Sequence, residues 1–456
     1  MTGDHISFVA SGSYPVREGN RLRLLNDGEP AFRRICEAIE GARERVWVTV
    51  TFMWPAFVMP DGRGNALDVL GRAAARGVDV RVIFWRPGPG LESLKRNAFW
   101  GSDEHITELQ SLGSRIKVRW DGANHGYCEH QKSWLIDAGS DDATAFVGGI
   151  NLNPHSLVKP GHAGAPKQNH DAYVELRGPA TADVHHNFVQ RWNEADGHAS
   201  PGGLWGEGSE TQLSFPTHLP AQAGDAVAQV QRTIHACAYR DGHAAVGGRP
   251  FDIAAGERSN FDQYILALGS AQRTVYMENQ YLEVPVIVEA LREALERGVE
   301  VVVLLPAEPD VVGAASLSQG RLALLDARAS LAAYPNFTLA GLAGLGDDGR
   351  RQPVWIHAKL MLIDDAWATV GSCNLHHYSL FGNSEMNVAF AHPPTVRAMR
   401  VELFREHLDL DTEALDDVEA LRLFRSVAFE NRRRFDAGDS DWRGLAFSLD
   451  VTRYGR

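Results

Sequence analysis

HQKSWLID at residues 130–137, with GGIN beyond it at 148–151, returns in the same chain as HAKLMLID at 357–364, with GSCN beyond it at 371–374. Each copy spaces His, Lys and Asp identically, and the two lie 227 residues apart. The flanking sequence repeats as well. AFRRICEAIEGARE has apolar residues at helical spacing and runs into the β-rich VWVTVTF; NFDQYILALGSAQ runs into RTVYMENQY. ALDVLGRAAARGVDVRVIFW and VIVEALREALERGVEVVVLLP each read as a helix closed by a glycine, Gly77 or Gly298, followed by a strand. A Gly-Val after a helix is common by chance, but a shared polar signature at nearly the same offset is not. Apolar strands alternating with helices predict an α/β fold: two pseudo-symmetric α/β/α sandwich halves whose mostly parallel or mixed sheets pack together.

The 456 residues suit two large units. We expect halves at 1–205 and 206–410, each with one motif, and a helical tail at 411–456, where DTEALDDVEALRLFRSVAFENRRRF reads as a terminal helix. The Gly/Ser/Pro-rich ADGHASPGGLWGEGSE reads as the linker. PHSLVKPGHAGAPKQ, RDGHAAVGGRPFDIAAGERSN and GLAGLGDDGRRQP read as long loops, and the His185-His186 and His376-His377 pairs as surface or loop residues. Four cysteines without a C-x-x-C pair argue against zinc ribbons and redox motifs. A net charge of −13 argues against a general phosphate-backbone binder. The opening MTGDHISFVASG lacks a secretory pattern and no long apolar run follows, so a cytoplasmic protein is expected, with signal-independent export still compatible.

Strand alternation puts His130 and Lys132 on one face, and His357 and Lys359 likewise, with Asp137 and Asp364 turned away. The two Asp therefore read as structural, pairing with backbone or a cation elsewhere. The glycines before Asn151 and Asn374 are expected to turn the chain at a strand end and aim both amides at one site. Brought together by the repeat, two imidazoles, two ammonium groups and two amides suit a phosphodiester. Lysines and asparagines hold the anionic oxygens. One imidazole attacks phosphorus to give a phosphohistidine; the other protonates the leaving oxygen, then activates water or an acceptor alcohol. Two displacements predict retention at phosphorus. The lysines repel a divalent cation, so no metal and no cofactor is expected. A single strand histidine is ordinarily a satisfied core residue, but a His-Lys pair buried on an apolar strand costs several kcal/mol without an anion.

These H-x-K-x4-D motifs resemble those of the phospholipase D superfamily, over roughly residues 20–410. HDAYVELRGPATADVHHNFVQRWNEA, QVQRT, VYMENQYL and GSCNLHHYSLFGNSEMN resemble segments of the true phospholipases D. The resemblance implies that Asp171 and Glu385 hold the far nitrogens of the catalytic histidines, that His130 is the nucleophile and that His357 is the acid/base. Sequence symmetry alone leaves those two roles open. Ser372 would touch phosphate through its hydroxyl; the first copy has Gly149 instead, and Tyr378 stands where many members carry Arg.

The favoured expectation is hydrolysis of a glycerophospholipid to phosphatidic acid and an alcohol, with transphosphatidylation when an alcohol replaces water. The alternatives are a cardiolipin synthase-like phosphatidyltransferase, a nuclease or soluble phosphodiesterase, and, least favoured, a silent scaffold. The expected partner is a phospholipid at a membrane or micelle surface rather than nucleic acid, and a monomer is expected because one chain carries both half-sites. TFMWPAFVMPDG, with Met53, Trp54, Phe57, Val58 and Met59, reads equally as an interface-contacting segment or as strand-end core, and Lys159 and Lys167 as solvated lysines.

Overall fold

The computed structural model describes residues 7–113, 115–122, 126–197, 203–309 and 319–456. Of the expected linker, residues 198–202 lie outside the described residues.

Two sheets repeat one strand order. In the first, Ile116–Asp121, Asp79–Trp85 and Arg45–Val50 run parallel; Ser133–Ile136, Thr144–Gly148, Ala172–Arg177 and Arg17–Asn26 then add antiparallel. The second repeats this with Phe337–Leu345, Glu300–Leu304, Thr274–Glu278, Leu360–Ile363, Trp367–Gly371, Glu385–Ala391 and Ala226–Ile234. Arg17–Asn26 also pairs with Ala226–Ile234 and so joins the two sheets. The fold is the expected pseudo-symmetric α/β architecture.

Three large apolar clusters among the described residues follow from this arrangement. Ala145, Val147, Val174 and Leu176 of the first sheet share a core with Val230, Leu360, Val370 and Val388 of the second. The helices Gly28–Gly41 and Ala66–Ala75 pack on the outer face of the first sheet, while Ser259–Ser270 and Pro285–Glu296 do the same for the second. Gly77 and Gly298 stand at φ 92° and 89° just past their helices, with Val78 donating to the Ala73 carbonyl and Val299 to that of Ala294. A β-carbon is disfavoured in that conformation, which explains a glycine at both ends.

Several expectations change. GLAGLG is strand rather than loop: it forms most of Phe337–Leu345, paired with Arg351–Ile356. A β-carbon on Gly344 would sit 1.9 Å from the His162 carbonyl, so this glycine admits a close crossing of chain. His185 and His186 are buried in the helix Thr181–Gly197, where Tyr14 meets His186 Nδ1 at 3.0 Å. The helix is covered on both sides, which leaves a short imidazole inside it no surface to reach. Met53, Phe57 and Met59 are core residues, while Val58 is 53% exposed. After residue 411 the chain adds a strand, Ala446–Ser448, against Phe337–Leu345, as well as the capped helix Asp417–Asp436. Among the described residues no helix is long and apolar enough to cross a membrane.

Candidate active site

Each motif lies in extended chain entering a strand: His130–Lys132 precedes Ser133–Ile136, and His357–Lys359 precedes Leu360–Ile363. Those entry segments are where the two halves are stitched together. The chain at Glu129 bridges in parallel to Ser384, and His130 N–H donates to the Ser384 carbonyl at 2.9 Å. Reciprocally, Arg351–Ile356 pairs in parallel with Asn169–His170, and His357 N–H donates to the His170 carbonyl at 2.8 Å.

The stitching crosses the halves over. His130 of the first half donates through Nδ1 to Glu385 Oε2 of the second (2.9 Å). His357 of the second donates through Nδ1 to Asp171 Oδ2 of the first (2.6 Å). A carboxylate on Nδ1 fixes the tautomer and leaves the lone pair of each ring on Nε2. The lysines are held alike: Lys132 Nζ donates to the His130 carbonyl at 2.7 Å, and Lys359 Nζ to that of His357.

Electrostatics tie the two pairs into one centre. Burial, with Glu385 opposing it and Lys132 and Lys359 adding to it, pushes the His130 imidazole down to about 4. Burial and Lys359, against Asp171, push His357 down to about 4 as well, and Lys132 contributes from the other half. Burial also lowers the ammonium groups, Lys132 to about 8 and Lys359 to about 7. Burial works against the Glu385 carboxylate, yet His130 and Lys132 hold it below the ordinary carboxylate range. Two imidazoles, two ammonium groups and the two carboxylates that oppose their charge loss are thus buried as one coupled set. Only 7% of His130 and 8% of His357 is exposed, so access is narrow. Phe52 meets the His130 ring edge-on at 6.4 Å.

The remaining candidates sort by geometry. Asp137 accepts from the backbone N–H groups of Arg43, Glu44 and Arg45 at 2.7–3.1 Å, and Asp364 from those of Gln272, Arg273 and Thr274 at 2.7–3.0 Å. Each pins the start of a central strand and faces away from its histidine. Ser372, expected on phosphate, is engaged elsewhere: its hydroxyl donates to Glu385 Oε2 at 2.6 Å and accepts from Met386 N–H. A buried ionised carboxylate needs donors, and Ser379 supplies a second at 2.5 Å on Oε1. Ser379 sat within the quoted motif run, but nothing in the sequence assigned it that contact.

Gly149 is the counterpart of Ser372, and a β-carbon there would lie 2.4 Å from Asp171 Oδ1. Gly148 and Gly371 are not turn residues; a β-carbon on either would strike a neighbouring strand carbonyl at 2.2 or 2.4 Å. Asn151 and Asn374 follow these strand ends, each with a buried amide oxygen lacking a hydrogen-bond partner among the described residues. Lys159 and Lys167 are exposed.

The flanks of the site differ. Beside His130, Tyr127 stacks near His235 at 4.6 Å, fills the space over Gly382 and approaches the 61% exposed Tyr378. A cavity of about 450 Å³ is lined by His155, Lys167, Asn169, Glu308, Gln352 and Trp355, and none of His130, Lys132, His357 and Lys359 lines it. Asn169 and Trp355 lie two residues before Asp171 and His357. One further cluster escaped the sequence reading: Asp27, His162, His170 and Glu406 bring ligating atoms together behind Asp171.

A family described as "Cardiolipin synthase, PLD-like domain" matches residues 35–192 and 264–407. The chain is 28% identical over 386 residues to cardiolipin synthase B of Shigella flexneri, covering 82% of this chain and 76% of that protein. It is 26% identical over 411 residues to the major cardiolipin synthase ClsA of Bacillus subtilis (strain 168), covering 86% and 69%. Its fold is shared by the solved phosphatidylserine synthase of Haemophilus influenzae Rd KW20, with a TM-score of 0.56, 13% identity, and coverage of 93% of this chain and 96% of that one.

Proposed function

Because the chain belongs to the cardiolipin synthase, PLD-like domain family, and so to the phospholipase D superfamily of phosphodiester-transferring enzymes, we propose that it moves a phosphatidyl group from one alcohol to another. The observation carrying this reading is the reciprocal pairing His130–Glu385 and His357–Asp171 across the two halves. His130 Nε2 attacks phosphorus, and the bond to the leaving alcohol oxygen breaks as His357 gives that oxygen a proton. His357, now neutral, takes the proton of the acceptor hydroxyl. The acceptor oxygen then displaces His130 from phosphorus, so the two inversions give net retention. Lys132 and Lys359 hold the non-bridging oxygens, and Asn151 and Asn374 present their amides nearby. The entering phosphate restores charge to the ammonium groups, and protonation to His357, that burial has weakened.

Transfer takes precedence here over the headgroup hydrolysis favoured by the sequence reading. The curated relatives named above are synthases. The test is incubation with phosphatidylglycerol vesicles, with lipids resolved by mass spectrometry. Diphosphatidylglycerol with release of free glycerol is expected; phosphatidic acid as the sole lipid product would return the protein to the hydrolases.

A further inference from the structure

Four elements meet behind Asp171. Asp27 lies between the strand Arg17–Asn26 and the helix Gly28–Gly41, His162 lies in the loop after Asn151, His170 precedes Asp171, and Glu406 comes from the helix Pro393–Leu408 of the second half. Asp27, His162 and His170 are buried, and Glu406 nearly so. We propose that these four side chains hold a divalent transition cation of the zinc class, as a brace outside the phosphoryl site.

The distances fit. Asp27 Oδ1 lies 3.0 Å from His170 Nδ1 and 3.3 Å from His162 Nε2, which is 3.5 Å from Glu406 Oε1. All four ligand atoms fall within 4.8 Å of one another. Bonds of about 2.0–2.1 Å in a tetrahedron place neighbouring ligands about 3.3 Å apart. Two imidazoles and two carboxylates are a donor set for zinc rather than for magnesium or calcium.

Two further observations point to a ligand. Neither ring nitrogen of His162 meets hydrogen-bond geometry among the described residues, although its side chain is fully buried: Nε2 has only the ion-pair approaches to Asp27 and Glu406, Nδ1 has none, and Asp27 Oδ2 likewise makes no hydrogen bond. His170 meanwhile donates its other nitrogen, Nε2, to Glu278 Oε2 at 2.8 Å. A second carboxylate on the far nitrogen is how metal-bound histidines are ordinarily oriented. Glu278 is in turn fixed by Tyr276 at 2.6 Å, and Tyr276 meets His407 Nδ1 at 2.9 Å. Glu406 also accepts from Gly161 N–H at 2.8 Å, which ties the His162 loop to the second half. The cation fixes His170, and with it the adjacent Asp171 that orients His357.

The test measures metal in the full-length protein, produced in zinc-supplemented medium and passed over a chelating resin, by plasma mass spectrometry. About one equivalent per chain is expected, falling at least about tenfold in His162→Ala and staying unchanged in the exposed-histidine control His218→Ala. Crystals measured at the zinc edge should show an anomalous peak among Asp27, His162, His170 and Glu406, a readout that stands if His162→Ala fails to fold. Folded wild-type protein with under about a tenth of an equivalent, or zinc that survives His162→Ala, or a peak elsewhere, overturns the proposal.

Discussion

His130 and His357 occupy the same place in two sheets of identical strand order, yet the carboxylates behind them are built differently. Glu385 reaches its histidine across a longer side chain and is steadied by two hydroxyls, Ser372 and Ser379. Asp171 is one methylene shorter, accepts from its neighbour's Ala172 N–H at 2.8 Å and rests directly over Gly149. Glycine at 149 and serine at 372 are therefore each the residue that its own carboxylate requires. The repeated backbone dictates where the imidazoles sit, while the support of each imidazole is solved locally.

The strongest way to break this comparison is to remove each imidazole in turn. His130→Ala and His357→Ala should each lower kcat on lipid by about 10⁴-fold. They should part company on a phosphodiester with a p-nitrophenolate leaving group, which departs without a proton. His357→Ala should then give a rapid burst and stall as phosphoenzyme, while His130→Ala gives no burst. The reverse pattern would exchange the two roles. Removing either ammonium group, Lys132→Ala or Lys359→Ala, should cost about 10²–10³-fold in kcat, and nearly equally, because both serve one phosphorus. A large inequality in steady-state rates would mean that the halves do not share it.

Swapping the supports sharpens the difference. Gly149→Ser should lower kcat by tens of fold, since the new side chain collides with Asp171, whereas Ser372→Gly should cost about tenfold through one lost charge-assisted hydrogen bond. Tolerance of Gly149→Ser would show the supports to be interchangeable. The smallest effect is the pH response of kcat/KM on the p-nitrophenyl diester, whose leaving group needs no acid from His357. The nucleophile must be neutral and the lysines charged, so activity should rise with pH through an apparent value near 4 and fall between about 7 and 8. The acid limb belongs to the coupled histidine pair rather than to one ring.

Much of this was legible in the chain itself. The doubled motif, its offset and the glycine-closed helices carry the two-half fold, while Asp137 and Asp364 each sit one residue past a short strand at positive φ, so alternation along the strand does not set their direction. The partners of His130 and His357 are not legible from spacing, because each lies 255 or 186 residues away in the other half; they came from resemblance. The Asp27–His162–His170–Glu406 cluster was missed for the same reason, since Glu406 stands 245 residues from its contact at Gly161. GLAGLG looked like a loop because glycine is a poor strand former, and only its close crossing with the His162 segment explains why glycine is placed there.

Convergence of the two halves on one phosphorus is decided by a crystal structure with tungstate or vanadate bound. A single anion touched by His130, Lys132, His357 and Lys359 together is the result expected. Two anions in separate cavities, or one held by a single half's pair, would contradict the shared site.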